Sequence, residues 1–384
     1  MLRRIRLIVA LVFFILITLL FLDFTGTLHA WFGWLAKIQF LPAVLALNVG
    51  VILLWVVLTL VFGRVYCSVI CPLGVFQDVV SWFSGRRKKK KYRFSYSPAV
   101  SWLRYGMLGV FIIAMIAGIG SVVALLAPYS SYGRIVSNLF APVYQWGNNV
   151  LAYFAERSDS YAFYETSVWL KSLPTFIIAA GTFVVLVVLA WRNGRTYCNT
   201  ICPVGTVLGF FSRYSLFRPE IDAEKCTNCS LCSRKCKAAC INYKDHRIDY
   251  SRCVTCMDCI DSCKHGAISY KYRFGKKEIK ETSETGNTNN ARRSFLTGMG
   301  LVLVSSAVKA QEKKVDGGLA VILDKKVPAR TTPLVPPGAK GLRNMRTRCT
   351  GCQLCVSVCP NQVLRPSTKL ETLMQPEMSY ERGY

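Results

Sequence analysis

"GRVYCSVICPLG", residues 63–74, returns as "GRTYCNTICPVG" at residues 194–205. The two copies share Gly, Arg, Tyr, both cysteines, Ile, Pro and the final Gly. Each copy closes a long apolar stretch. Four such stretches, about 7–22, 43–62, 102–127 and 173–191, each approach the roughly 20 residues that cross a bilayer as helix. Arg3, Arg4 and Arg6 precede the first, "RRKKKKYR" at 86–93 follows the second, and Arg192 and Arg195 follow the fourth. With a cytoplasmic N-terminus all three basic sets fall on one side, as the positive-inside tendency requires. The stretch 128–172 then lies outside, with Tyr129, Tyr132, Tyr144, Trp146, Tyr153 and Trp169 suited to the membrane surface. The expected core is two hairpins related by a pseudo-twofold axis along the membrane normal, with Cys67, Cys71, Cys198 and Cys202 near that axis.

Composition agrees with a membrane protein. Of 384 residues, 52% are hydrophobic and 18% charged, and mean hydropathy is +0.31. The net charge of +27 is placed in loops beside apolar stretches, where it orients a membrane chain and meets anionic lipid. No recognition motif accompanies it, so nucleic acid is not an expected partner.

The 17 cysteines are grouped. "CTNCSLCSRKC" holds Cys226, Cys229, Cys232 and Cys236, and "CVTCMDCIDSC" holds Cys253, Cys256, Cys259 and Cys263. Both follow C-x2-C-x2-C-x3-C, in which three close thiolates wrap one face of a 4Fe-4S cubane and the fourth reaches the neighbouring cluster. Zinc sites use paired C-x2-C units without the third and fourth thiols. The expected ligand sets are Cys226, Cys229, Cys232 and Cys263 for one cluster, and Cys253, Cys256, Cys259 and Cys236 for the other. Lys237 and Lys264 stand where bacterial ferredoxins have proline, and Cys240 reads as a spare thiol.

A third run, "CTGCQLCVSVCP", supplies Cys349, Cys352, Cys355 and Cys359. No second run follows it before Tyr384. The expectation is a segment cut short, against two alternatives: Cys359 closes its own cluster, or a partner completes the module. The pairs Cys67/Cys71 and Cys198/Cys202 are read separately. On a helix, i and i+4 put both thiols on one face, and a structural disulfide is disfavoured on a reducing side. A metal or iron-sulfur centre, a dithiol redox pair and simple packing all stay open. Asp23 and His29, at the outer end of the first stretch, are candidates for proton transfer at a quinol site, against a reading as ordinary interfacial residues. Haem is not expected, since there is no C-x-x-C-H and the chain has three histidines.

With these motifs the sequence over about 40–272 resembles the NapH/NosR-type membrane polyferredoxins, which pass electrons from quinol to periplasmic reductases. From 291 onward it resembles a NapG-type ferredoxin with its twin-arginine signal, "ARRSFLTGMGLVLVSSAVKAQ" at 291–311. An exported ferredoxin whose clusters form in the cytoplasm crosses the membrane folded, which twin-arginine export permits. The bland alternative takes Arg292 and Arg293 as positive-inside residues before a fifth span. NosR-type members carry a flavin domain with a Ser/Thr-Gly-Ala-Thr motif that has no counterpart here, so flavin is not expected.

The expected fold class is a polytopic α-helical membrane protein, four spans plus a fifth signal-anchor span, with α+β bacterial ferredoxin-like 4Fe-4S modules on both sides. The expected parts are a membrane domain at 1–215, a cytoplasmic two-cluster ferredoxin at 216–272, a linker at 273–293, a signal-anchor at 294–310, and a periplasmic tether with a partial ferredoxin at 311–384. The implied location is the bacterial inner membrane. The implied function is electron transfer in anaerobic respiration, from the quinone pool to a periplasmic reductase or cytochrome, with two cytoplasmic and one or two external clusters. Two rivals are a maturation or metal-reducing factor for a respiratory enzyme and a membrane redox sensor.

Overall fold

Among the described residues two helices, Leu2–Leu22 and Leu173–Asn193, are long and apolar enough to cross a membrane. The computed structural model describes residues 2–86, 94–158, 164–166, 168, 170–274 and 332–380, all within one unit. Arg292, Arg293 and the run 294–310 lie outside the described residues.

The second and third apolar stretches are not continuous helices, and here the structure corrects the expected spans. Residues 43–62 break into Phe40–Leu45 and Val49–Phe62. Leu47 takes a left-handed conformation (φ 56°), and the Asn48 side chain accepts from the Val51 N–H to start the next helix. Residues 102–127 break into Ser101–Ile116 and Gly120–Leu126 at Gly118 (φ 71°), a conformation that ends helices and favours glycine. The helices keep apolar outer faces: Ile8, Leu11, Val12 and Ile15 on the first, Leu53, Leu54 and Val57 on the Val49–Phe62 helix, and Val184, Val185 and Val188 on the Leu173–Asn193 helix are exposed. An apolar surface of this extent calls for a non-aqueous neighbour.

The repeats build a matched pair of corners. Val65–Val69 and Thr196–Thr200 are single helical turns carrying the first cysteine of each pair. Each turn stops before the second cysteine, which is extended, and the following proline opens a new helix, Pro72–Gly85 or Pro203–Ser212. The paired thiols therefore do not share one helix face, contrary to the i, i+4 expectation. Gly74 and Gly205 run so close to the carbonyls of Cys67 and Cys198 that a Cβ at either would collide.

Residues 217–272 form a small α+β module. Phe217–Ile221 pairs antiparallel with Ile268–Tyr272, setting Phe217 opposite Tyr272, and the one-turn helices Leu231–Lys235 and Asp258–Ser262 cross between them. This module meets the N-terminal end of the first helix, where Arg3 pairs with Asp258 (2.8 Å) and Asp261 (2.5 Å). Residues 332–380 meet the other end of the bundle. There the Asn138 amide donates to Gln353 Oε1 (2.8 Å), Lys171 donates to the Val356 carbonyl (2.8 Å), and Val358 lies against Gly26. The two cysteine-bearing modules thus sit at opposite ends of a 21-residue helix, a separation of about 30 Å.

Asp78 ties together the end of the bundle that meets residues 217–272. Its carboxylate accepts from Arg195 Nε and Nη2 (both 2.8 Å) and from Arg6 Nη2 (2.6 Å), and Lys237 Nζ stands 3.7 Å away. Lys237 also pairs with Asp258 at 3.1 Å, so the lysine in the proline position fastens the module to the bundle. Burial would raise the Asp78 pKa, but Arg195, Lys237 and Arg6 outweigh it and hold the carboxyl well below its usual range. Because that pKa is depressed, its contribution to stability is complete above the unfolded carboxyl value of about 3.9 and fades as pH falls further. Asp78→Asn leaves buried cations uncompensated and is expected to cost about 3–5 kcal/mol. Thermal unfolding followed against pH checks both points: the wild-type midpoint should drop below about pH 4, and the variant should start lower and respond less.

Candidate iron-sulfur sites and the buried thiol pairs

The three cysteine runs adopt one backbone. Two residues after the first cysteine, Asn228, Thr255 and Gly351 are left-handed (φ 54°, 50°, 62°), and two residues further on so are Ser230, Met257 and Gln353 (φ 60°, 62°, 65°). The position three after the fourth cysteine repeats the conformation in Ala239, Gly266 and Gln362 (φ 50°, 62°, 53°). Only two of these nine residues are glycine, so most accept a cost of the order of 1 kcal/mol. The return is a loop whose backbone N–H groups address sulfur: Gly351 N donates to Cys349 Sγ (3.4 Å), and those of Ala238, Ala239 and Cys240 address Cys236. A cradle of this kind fits an anionic cluster held by thiolates.

Two cavities divide the thiols of the first module. Cys226, Cys229, Cys232 and Cys263 line one, with Tyr243, His265, Ala267 and Ile268. Cys236, Cys253, Cys256 and Cys259 line the other, together with Cys240. Each cavity therefore takes three thiols from one run and the fourth from the other. Cys240 is buried, with its sulfur 3.5 Å from that of Cys236. That hydrogen bond pulls the Cys236 thiol down to about 7, whereas burial pushes Cys232, in the other cavity, up to about 11.

In the bundle the structure brings Cys67, Cys71, Cys198 and Cys202 into one buried group. The repeats exchange contacts across it: Arg64 Nη2 donates to the Cys198 carbonyl (3.3 Å) and Arg195 Nη1 to the Cys67 carbonyl (2.7 Å). Gln77 Nε2 lies 3.3 Å from Cys198 Sγ, Arg64 Nη2 lies 3.8 Å from Cys67 Sγ, and Gly205 N donates to Cys202 Sγ (3.3 Å). Arg195 is neutralised by Asp78. Arg64, fully buried, has Asn199, carbonyls and sulfur as partners and no carboxylate among the described residues. An unpaired buried cation is costly, and a thiolate-bound centre would offset it.

The same core touches both modules. Cys256 packs against it from one side and Cys352 from the other. Beside Cys352, Gly133 makes the close approach possible; among the described residues the fully buried Arg134 side chain has only Ala124 O and Ser131 Oγ as partners, and the buried Tyr129 hydroxyl has none. Cys349 is pushed up to about 12 by burial. Cys359 instead faces a cavity lined by Phe24, Tyr164 and Lys171.

Asp23 and His29 adjoin through backbone. The Asp23 carboxylate accepts from the N–H groups of Thr25, Gly26 and His29 and from the Thr25 hydroxyl, so its oxygens organise the Thr27–Phe32 turn. A further cavity, about 260 Å³, lies at the C-terminal end of the Leu173–Asn193 helix. Phe94, Pro98, Val100, Thr200, Ala238 and Arg252 are among its walls, and the buried Arg252 Nη2 has no partner among the described residues. Asp78, Arg6, Arg64, Arg195 and Arg252 are site residues that motif reading passed over; the signal for Arg64 and Arg195 was present, since the arginine recurs in both repeats.

Two family models, each described as a 4Fe-4S binding domain, match the chain: one at 44–91 and 174–222, the other at 246–269 and 345–365. Among curated relatives, an uncharacterized protein of Methanocaldococcus jannaschii is 36% identical over 61 residues, 16% of this chain and 25% of that protein. The methylamine utilization ferredoxin-type protein MauN of Paracoccus denitrificans is 24% identical over 211 residues, 54% of this chain and 57% of its own. The ferredoxin-type protein NapH of Haemophilus influenzae is 26% identical over 179 residues, 46% and 48% respectively. The chain thus spans from a quarter to somewhat over half the length of these relatives. No solved structure matches. The chain carries 4Fe-4S binding domains and resembles ferredoxin-type electron transport proteins at low identity.

The crossed arrangement of thiols predicts the outcome of single substitutions. Cys263→Ser and Cys226→Ser should empty the same cavity and each lower bound iron by about four atoms per chain, while Cys236→Ser should spare that cluster and disturb the other. Iron quantitation with EPR of the reduced protein distinguishes this from ligation within each run, under which Cys236→Ser and Cys226→Ser would share a phenotype.

Proposed function

We propose that the chain is an inner-membrane electron relay that accepts electrons from a quinol at the cytoplasmic face and passes them through the bundle thiols to the outer cysteine module, for a periplasmic reductase or cytochrome. The observation that supports this most is the shared core: Cys67, Cys71, Cys198 and Cys202 lie within it, and Cys256 and Cys352 border it from opposite modules. A hydrocarbon layer of roughly 30 Å is wide for one electron step, and a redox centre on the four thiols divides it.

In this reading the broken helices still make four spans, with Arg3 and Arg192 inside and the exposed residues Tyr144, Trp146 and Tyr153 outside; Tyr129 and Tyr132, expected at that surface, are instead buried in the bundle against Phe21, Phe14 and Phe76. The run 294–310 is a fifth span, reached by the twin-arginine route and retained as an anchor. Cys226, Cys229, Cys232 and Cys263 hold one inner cluster, and Cys253, Cys256, Cys259 and Cys236 the other. Cys349, Cys352 and Cys355 hold the outer one, while Cys359 serves a further cluster. When bound, these clusters supply one-electron redox chemistry. Oxidation of a hydroquinone to a quinone releases two electrons and two protons; clusters bound at these cysteines would take up the electrons one at a time, and the protons would pass to water at the mouth of the site. The cavity beside Arg252 suits the quinone headgroup: Phe94, Pro98 and Val100 offer apolar walls, Arg252, ion-paired with Asp249 (2.7 Å), lends it positive charge, and Ala238 lines both this cavity and that of the second inner cluster. Asn199, next to Cys198, bridges from the cavity to Arg64.

The test uses the full chain in lipid nanodiscs, reduced anaerobically with a menaquinol analogue and followed by EPR. Replacing Cys67, Cys71, Cys198 and Cys202 by Ser should leave inner-cluster reduction fast and abolish reduction of the outer cluster, with ferredoxin iron retained. Thr200→Trp, which fills the cavity, should slow quinol-driven reduction at least about tenfold and leave dithionite reduction unchanged. Clusters reducible by dithionite and indifferent to quinol in the wild type would instead support the metal-reducing or sensing readings.

A further inference from the structure

The two inner clusters occupy near-copies of one cradle, which makes their differences informative. After the crossing cysteine, one copy reads Cys236-Lys237-Ala238-Ala239-Cys240-Ile241 and the other Cys263-Lys264-His265-Gly266-Ala267-Ile268. The left-handed residue falls at the same place in both, Ala239 and Gly266. The next position is buried in both and lines its cavity in both, as Cys240 in one and Ala267 in the other. Thus the same backbone presents a thiol to one cluster and a methyl group to its twin.

Cys240 is more than a cavity-filling thiol. Its sulfur is 3.5 Å from Cys236 Sγ, and its side chain also interacts with that of Cys253. Both neighbours belong to the ligand set of one cavity, and they come from different runs. The standard four positions of that set are filled without Cys240. With Cys236 and Cys253 engaged as thiolates, they are acceptors, and the S–H of Cys240 is the donor left between them.

We infer that Cys240 is a positioning residue that sets the order of electron transfer: it donates a hydrogen bond to ligand sulfur of the second inner cluster and raises that cluster's potential above that of its twin. The physical basis is general, since hydrogen bonds to cluster sulfurs stabilise the more negative, reduced state. Place gives it a purpose. The cluster so favoured is the one whose Cys256 borders the bundle core, so electrons on the inner module collect where they leave it. The inference rests on the reading of these cysteines as cluster ligands.

Redox titrations of the purified full chain, read by EPR with iron quantitation on the same samples, test it in both directions. In the wild type the inner clusters should titrate with separate midpoints. Cys240→Ala removes the donor and should bring the two midpoints closer, with iron unchanged. Cys240→Ser keeps a donor and should keep the separation. Ala267→Cys gives the twin its own donor and should also narrow the gap. A separation untouched by Cys240→Ala overturns the inference, as does loss of one cluster's iron in that variant, which would make Cys240 a ligand. A wild-type chain that binds no inner-module iron would overturn the ligand reading itself, an outcome separable from the first two.

Discussion

The carboxylate of Asp78 is the point on which the inner half of the molecule depends. It sits on the helix that follows the first repeat, yet its partners come from the second repeat, the N-terminal helix and the ferredoxin module. Three cations around one buried anion hold four chain segments in register, and the geometry is partly bidentate, which is the form of ion pair best able to offset desolvation. Arg195 then carries the constraint on to the Cys67 carbonyl, and Lys237 carries it to the loop around the second inner cluster. A charge node of this kind favours one docking geometry over sliding alternatives.

The second repeat has no such carboxylate. The residue matching Asp78 is Gly209, and the Arg104 guanidinium occupies the space a side chain there would need. Arg64 and Arg104 both donate to the Ser251 carbonyl, so two buried cations face the loop that leads to Cys253. The pseudo-twofold is accurate in backbone and broken in charge. On one side of the thiol group Arg195 is paired with Asp78, while on the other Arg64 has no carboxylate partner among the described residues and Arg104 reaches Asp249 only through the Ser251 hydroxyl.

Much of this was legible in the chain. The repeat predicted the juxtaposed thiol pairs because identical corners related by a twofold must meet near its axis, and the C-x2-C-x2-C-x3-C spacing predicted the crossed thiol sets that line the two cavities. The breaks at Asn48 and Gly118 were not read, because hydropathy averages over a window and a single capping amide or left-handed glycine barely changes it. Asp23 carries a second role that hydropathy does not signal: an ionisable residue near an apolar stretch suggested proton chemistry, and its carboxylate also accepts from backbone N–H groups of the next turn. Docking of residues 332–380 was invisible, since it depends on Gly133 and on side chains distant in sequence, none of which carries a local signature.

Three cradles with left-handed residues at the same positions, and buried arginines with no carboxylate partner among the described residues beside the thiols, lead to one physical conclusion. Each feature alone is destabilising: left-handed non-glycine backbone costs of the order of 1 kcal/mol per residue, and an uncompensated buried guanidinium costs more. Both costs would be recovered by the same event, because clusters held on the cradle thiolates would accept the inward N–H groups and bring negative charge. Cluster binding would then be part of the folding free energy of this chain, in the sense that ligands bound only by the native state stabilise it.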